Sequence, residues 1–151
     1  MNIFEKIKKI LDERGLEYSV KHHEPAYTSE QAAKVRGQSL KQGAKAIILK
    51  TNGNFVLAVL SAEKKIDSKK LRRILCSKKI SFADVEQIKK YELVPGSVPP
   101  FGSVLGLKTY VDRSLLENNE ISFNAGSLTD SITLKLKDYL KVENPVIEDF
   151  S

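Results

Sequence analysis

Ile3, Phe4, Ile7, Ile10 and Leu11 recur at helical spacing and are followed by Gly15. They share one face of a helix predicted over residues 2–14, which packs on a core, and Gly15 is its C-terminal stop. Leu16 to Lys21 alternates enough to be a short strand. His22-His23-Glu24-Pro25 ends it, because the residue before a proline resists helix. Thr28 opens a second helix, with Gln31 at capping-box spacing and Ala32, Ala33 and Val35 as a small-residue face. Gly37 ends it, and Gly37 to Gly43 reads as a loop.

From Gln42 to Leu60 the period switches to two, and this stretch organises the chain. Two apolar runs flank Asn52-Gly53, the strongest short hairpin signal, because both residues tolerate the positive φ of a type I′ turn. Alternation puts Lys45, Ile47 and Leu49 on one face of the first strand, and Ala44, Ala46, Ile48 and Lys50 on the other. Phe55 to Leu60 has no polar position, which implies burial on both faces.

Asp67-Ser68 caps a third helix with Leu71, Ile74 and Leu75 inward and Lys69, Lys70, Arg72 and Arg73 outward. Ile80 to Ala83 is a short connector or strand, and Asp84 opens a short helix with Val85 and Ile88 inward. Leu93 to Gly106 holds three prolines and three glycines and reads as a structured loop. Strands come next at 109–112, 120–124 and 131–134, with a turn at Ala125-Gly126-Ser127 and a brief turn over 112–116. A helical turn at 138–142 and a tail from Pro145 to Ser151 close the chain. Strands and helices mix irregularly, so the expected class is α+β in one domain over residues 1–151.

Composition narrows the partners. The formal net charge is +6 and the sequence pI is near 9.3, a balance that suits a polyanion, nucleic acid first, and equally suits solvated lysines on every surface. Only five of the 25 basic residues are arginines, Arg14, Arg36, Arg72, Arg73 and Arg113, so attraction to a phosphate backbone is favoured over base reading. No apolar run approaches the ~20 residues of a bilayer span. The N-terminus lacks the apolar region of a secretory signal. A single cysteine, Cys76, fits a reducing compartment, and a cytoplasmic location is expected. Its place at the inward end of a helix reads as a buried structural thiol.

The familiar enzyme signatures are absent: no HExxH, paired cysteines, GxGxxG or P-loop. His22 and His23 are adjacent and would point opposite ways on a strand, so they do not chelate one metal alone. No metal and no cofactor is expected. What remains is Lys45, the proline-glycine loop ending in Phe101-Gly102, and the Asn124-Ala125-Gly126 turn. Loop glycines expose backbone N–H groups that can hold a developing oxyanion, and an ammonium can hold a phosphate or carbonyl oxygen. On the residues alone two readings stay open: a strand-end lysine in water beside plain turns, or a pocket suited to ester hydrolysis.

At these residues the chain resembles the YbaK / prolyl-tRNA-editing family. The resemblance rests on His23-Glu24-Pro25, Thr28 to Ala33, Gly43-Ala44-Lys45-Ala46, Phe55 to Leu60, Gly96 to Gly102 and Phe123-Asn124-Ala125-Gly126. The matches run in order along essentially the whole chain. The resemblance implies a mixed, barrel-like β-sheet surrounded by helices. It implies a trans-acting deacylase that hydrolyses the ester of mischarged tRNA (Ala-, Cys-, Ser- or Thr-type charge, tRNA(Pro) foremost), with prolyl-tRNA synthetase as a possible second partner. It assigns Lys45 and Gly102 to catalysis, and Thr28, Phe101, Asn124, Gly126 and Ser127 to substrate binding. Lys45 is then expected to face a cleft walled by residues around Gly102 and Gly126. Some alanine-specific members carry Asn after the lysine, where this chain has Ala46. The alternative is a non-catalytic tRNA- or synthetase-binding module of the same fold.

Overall fold

The computed structural model describes residues 1–151. Helix α1 (Ile3–Glu13) starts where the Asn2 side chain accepts the Glu5 N–H at 2.8 Å, and it buries Ile3, Ile7 and Leu11. Strand β1 (Tyr18–His22) and helix α2 (Ser29–Arg36) come next. Thr28 caps α2 and Gly37 ends it at φ 69°. Gln31 does not close the capping box on Thr28; its side chain accepts the Tyr27 N–H instead. A 3-10 turn at Leu40–Gln42 leads into β2 (Ala44–Thr51) and β3 (Asn54–Ser61). Asn52 and Gly53 have φ of 47° and 80°, the positive pair that a type I′ turn demands.

The remaining elements are α3 (Ser68–Ile74), β4 (Ile80–Phe82), α4 (Val85–Lys89), α5 (Gly102–Leu105), β5 (Lys108–Asp112), β6 (Glu120–Asn124), β7 (Asp130–Lys135), α6 (Leu136–Glu143) and β8 (Val146–Glu148). They form a mixed α+β fold. The strands do not close into a barrel. They make two open sheets, ordered β1-β7-β6 and β4-β2-β3-β5-β8. A single parallel bridge, Gly43 to Ser122, joins them. β3 is the central strand, parallel to β5 and antiparallel to β2, which accounts for its unbroken apolar run.

Alternation along β2 holds. Ala44 and Ile48 belong to the main core with α1 and the smaller sheet, while Leu49 joins Leu71 and Phe150 on the other face. Four local expectations change. Residues 102–105 are helical rather than loop, with Gly106 as the left-handed stop at φ 70°. The tail is structured: Val146–Glu148 pairs in parallel with β5 and Phe150 is fully buried. Val85 is 58% exposed, since α4 is one turn long and only Ile88 packs on the core. Cys76 lies beyond α3 at φ 51° and is exposed, not buried. No helix is long and apolar enough to cross a membrane.

Candidate active site

Beside the Gly43–Ser122 bridge, where the two sheets diverge, a cleft of about 290 Å³ opens. One wall is α2, through Thr28, Ser29, Ala32, Ala33 and Arg36; the opposite wall is the start of β2, through Ala44, Lys45 and Ala46. Gly96 and Val98 close one end, and Asn124 enters from the end of β6. β4 covers β2 only from Leu49 to Thr51, so the stretch of β2 at the cleft has a free edge. No carboxylate, imidazole or thiol lines the cleft.

Lys45 is half-buried here, and its Nζ donates to the Lys64 carbonyl. Burial lowers its pKa; Glu30 partly offsets this and Lys65 adds to it. Arg36 is the second cation. Its Nε donates to Ser131 Oγ at 2.8 Å and its Nη2 to Asn124 Oδ1 at 3.0 Å. It has no carboxylate partner, and burial lowers its pKa to about 10.

Asn124 is a clamp. Its Nδ2 donates to the carbonyls of Ala26 (3.1 Å) and Gly96 (2.9 Å), while Oδ1 accepts from Arg36. Both amide protons are thus committed within the chain, so Asn124 holds the Gly96 loop against α2 rather than offering a donor to a ligand. Gly96 needs to be glycine: at φ +89° its added Cβ would meet the Tyr27 carbonyl oxygen at 2.6 Å. His23 completes the support. Its Nδ1 bonds the Glu24 carbonyl at 2.7 Å and its Nε2 pairs with Ser131 Oγ at 2.7 Å. Since a carbonyl only accepts, Nδ1 is the donor, and in the neutral ring the Ser131 hydroxyl donates to Nε2.

The structure therefore brings Lys45, Thr28 and Asn124 to one cleft. It does not bring Phe101, Gly102, Gly126 or Ser127 there. Phe101 is a core residue between Phe123 and Tyr139, with ring centroids 5.4 and 5.5 Å away. A Cβ on Gly102 would meet Thr109 Oγ1 at 2.0 Å, and the N–H groups of Gly102 and Ser103 are taken by the Glu143 carboxylate. Gly126 lies under α1, where a Cβ would meet Ile3 at 2.5 Å. Ser127 Oγ bonds Asp130 and Thr129 within its own turn. The wall expected around Gly102 and Gly126 is not there; that end of the cleft is closed instead by the other end of the proline-glycine loop, at Gly96 and Val98. Arg36 was not expected. In sequence it is one basic residue in the last turn of a helix, where a cation commonly complements the helix dipole.

The chain can also be placed among known proteins. Residues 23–142 match the family model described as the aminoacyl-tRNA editing domain. A relative from Escherichia coli K12, the multifunctional Ser/Thr-tRNA deacylase ProXp-y, is 35% identical over 147 residues, covering 93% of this chain and 88% of that one. The prolyl-tRNA editing protein ProX of Acetoanaerobium sticklandii is 27% identical over 139 residues, covering 87% and 85%. In fold, the chain matches a crystallised candidate trans-editing enzyme for prolyl-tRNA synthetase with a TM-score of 0.83, at 22% identity, covering 100% of this chain and 98% of that one. With the model spanning most of its length and a relative above thirty per cent identity, the chain belongs to the aminoacyl-tRNA editing domain family.

Proposed function

We propose that this protein is a trans-acting aminoacyl-tRNA deacylase that hydrolyses the ester of a mischarged tRNA held in the cleft between α2 and β2. The observation that carries the reading is the cleft's chemistry: it gathers hydrogen-bond donors and cations and no side-chain base. Backbone N–H groups of Ser29, Gly96 and Val98 have no acceptor in the chain. Such donors suit a developing oxyanion, and each is worth about 10²–10³ in rate where it is preorganised.

In this mechanism Lys45 holds the 3′-terminal nucleotide or the ester carbonyl. The Gly96–Val98 backbone takes the role expected of Gly102 and stabilises the tetrahedral oxyanion. Water attacks the carbonyl carbon, the ester C–O bond breaks, and the terminal ribose recovers its hydroxyl. With no carboxylate or histidine in the cleft, the ribose hydroxyl next to the ester is the group available to activate that water. Thr28 and the alanines size the amino-acid end. Thr28 also caps α2, so its two roles are compatible. The partner is mischarged tRNA, tRNA(Pro) foremost, with prolyl-tRNA synthetase as the enzyme whose errors are removed, in the cytoplasm. A second site is needed for such errors because a missing methylene is worth only ~1–3 kcal/mol to a synthetase pocket.

The test is a panel of tRNAs charged with alanine, cysteine, serine or threonine, incubated with wild type and Lys45→Ala. At least one ester is cleared by the wild type, and Lys45→Ala slows it by about 10² or more. Clearance of no ester above the buffer rate would overturn the deacylase reading. Full activity in Lys45→Ala would overturn the role of the lysine alone.

A further inference from the structure

The positive charge of the chain is concentrated in one segment. Residues 64–79 hold eight lysines and arginines and a single acid, Asp67, while the rest of the chain holds 17 basic and 18 acidic residues. The whole surplus of +6 therefore comes from this segment. Asp67 is occupied as the cap of α3, accepting the N–H groups of Lys69 and Lys70. Of the eight cations only Lys70 meets a carboxylate, Asp149 at 3.8 Å. Arg72 is half-buried and the other seven are exposed.

The segment starts at the cleft. Ala62 lines it, and the Lys64 carbonyl accepts from Lys45 Nζ. Lys65 is near enough that its charge helps lower the Lys45 pKa. From there α3 lies over the face of β2 that carries Lys45: Leu71 packs in one cluster with Leu49, and Ile47 borders it. Leu49 is four residues along the strand from Lys45, about 13 Å. Leu71, Ile74 and Leu75 take the inner face of α3. Lys69, Arg72 and Arg73 recur three and four residues apart, which puts them together on the outer face. A row of cations thus runs from the cleft rim across the outside of the larger sheet.

We propose that this row, Lys65 with Lys69, Arg72 and Arg73 of α3, is the docking surface for the phosphate backbone of the tRNA next to its 3′ end. The inference rests on the deacylase reading and adds where the body of the substrate lies. Charge complementarity selects the occupant: with the ester in the cleft, the phosphates that follow it leave past Lys64 and Lys65. A membrane or a protein partner would call for apolar anchors among the charges, and none of the exposed large hydrophobic residues falls within 64–79. A phosphate backbone needs only the cations.

The experiment measures binding of one uncharged tRNA by fluorescence anisotropy as salt is varied. One variant carries Lys65→Gln, Lys69→Gln, Arg72→Gln and Arg73→Gln. A control loses the same charge elsewhere, through Lys89→Gln, Lys90→Gln, Lys135→Gln and Lys137→Gln, all exposed positions. The first variant is expected to bind about tenfold or more weakly at low salt, and its slope of log affinity against log salt to shrink by about two or more, since each phosphate contact contributes roughly 0.7–0.9. The control changes both by less than half as much. Thermal melts identify a variant that fails to fold, and the pair Lys65→Gln and Arg73→Gln, both exposed, then carries the test with about half the change in slope. Equal losses in variant and control would show that overall charge draws the tRNA and would overturn the inference, as would unchanged binding in the variant. Either result beside clearance of a mischarged tRNA by the wild type would leave the deacylase reading standing. Loss of tRNA binding in the variant alone, with no ester cleared by the wild type, would keep the docking surface and overturn the deacylase reading.

Discussion

Lys45 sits where its charge is penalised. Burial is the largest influence on its pKa and lowers it, so the folded state favours the neutral amine more than the unfolded chain does. The penalty is full at neutral pH, where the ammonium must be kept, and it fades as pH rises from the folded value toward the unfolded one. Lys45→Met is therefore expected to melt at the same temperature as wild type or higher at pH 7, with the gap closing in alkaline buffer, while deacylation is lost. A lower melting temperature at pH 7 would show that the bond to the Lys64 carbonyl outweighs the burial cost. Alternation and the cap marked where Lys45 and Thr28 sit on their strand and helix, but their place in a site came only from the family resemblance. Arg36 was not legible, because its significance comes from Asn124 and Ser131, which are 88 and 95 residues away along the chain. Asn124, a turn residue by sequence, is a three-way clamp in space.

Among the elements, the hairpin was written most plainly and the C-terminal tail least. Asn52-Gly53 fixes its own turn, whereas Val146–Glu148 becomes a strand only because β5 offers an edge to pair with. Asp112, at the end of β5, ties the C-terminus to the sheet. Its Oδ1 accepts the N–H groups of Phe150 and Ser151 at 2.7 and 3.0 Å, and its Oδ2 accepts that of Ser114 at 3.0 Å. Burial pushes this carboxyl up, but the hydrogen bonds from Ser114, Phe150 and Ser151 together outweigh it and hold it below the usual carboxylate value. The stabilisation it gives is present above the unfolded pKa and is lost as pH falls through the folded one. Phe150→Ala removes a fully buried ring and is expected to cost about 3–5 kcal/mol in denaturant melts. Asp112→Asn is expected to be less stable than wild type at neutral pH, with the difference shrinking in acid as the wild-type carboxylate protonates. A difference that stays constant down to strong acid would show that the charge is not what holds the tail.

For the molecule as a whole, class was legible and closure was not. The mixed order of elements gave α+β. The family resemblance implied a mixed, barrel-like sheet; the structure has two open sheets and no closed barrel, the larger one extended by the parallel pairings of β3 with β5 and β5 with β8. Local pattern carries no record of such distant neighbours. The basic balance acts at this scale too. With a formal charge of +6, attraction to tRNA releases counterions, and its affinity is expected to fall by about tenfold or more between roughly 50 and 200 mM salt. Cleavage of a short aminoacyl ester without phosphates should change little over the same range. Equal salt sensitivity for both would place the effect in the cleft and not on the lysine-rich surface.

The free edge of β2 has one more consequence. Between Ala44 and Ile47 that strand has β3 on one side and no strand on the other. An open sheet edge is ordinarily a hazard, since another chain can add to it and seed aggregation. Here α2 stands across the gap, on the opposite wall of the cleft. The helix that walls the cleft therefore also covers the edge to which a second chain would add. Loosening α2 to widen substrate range would trade selectivity for self-association.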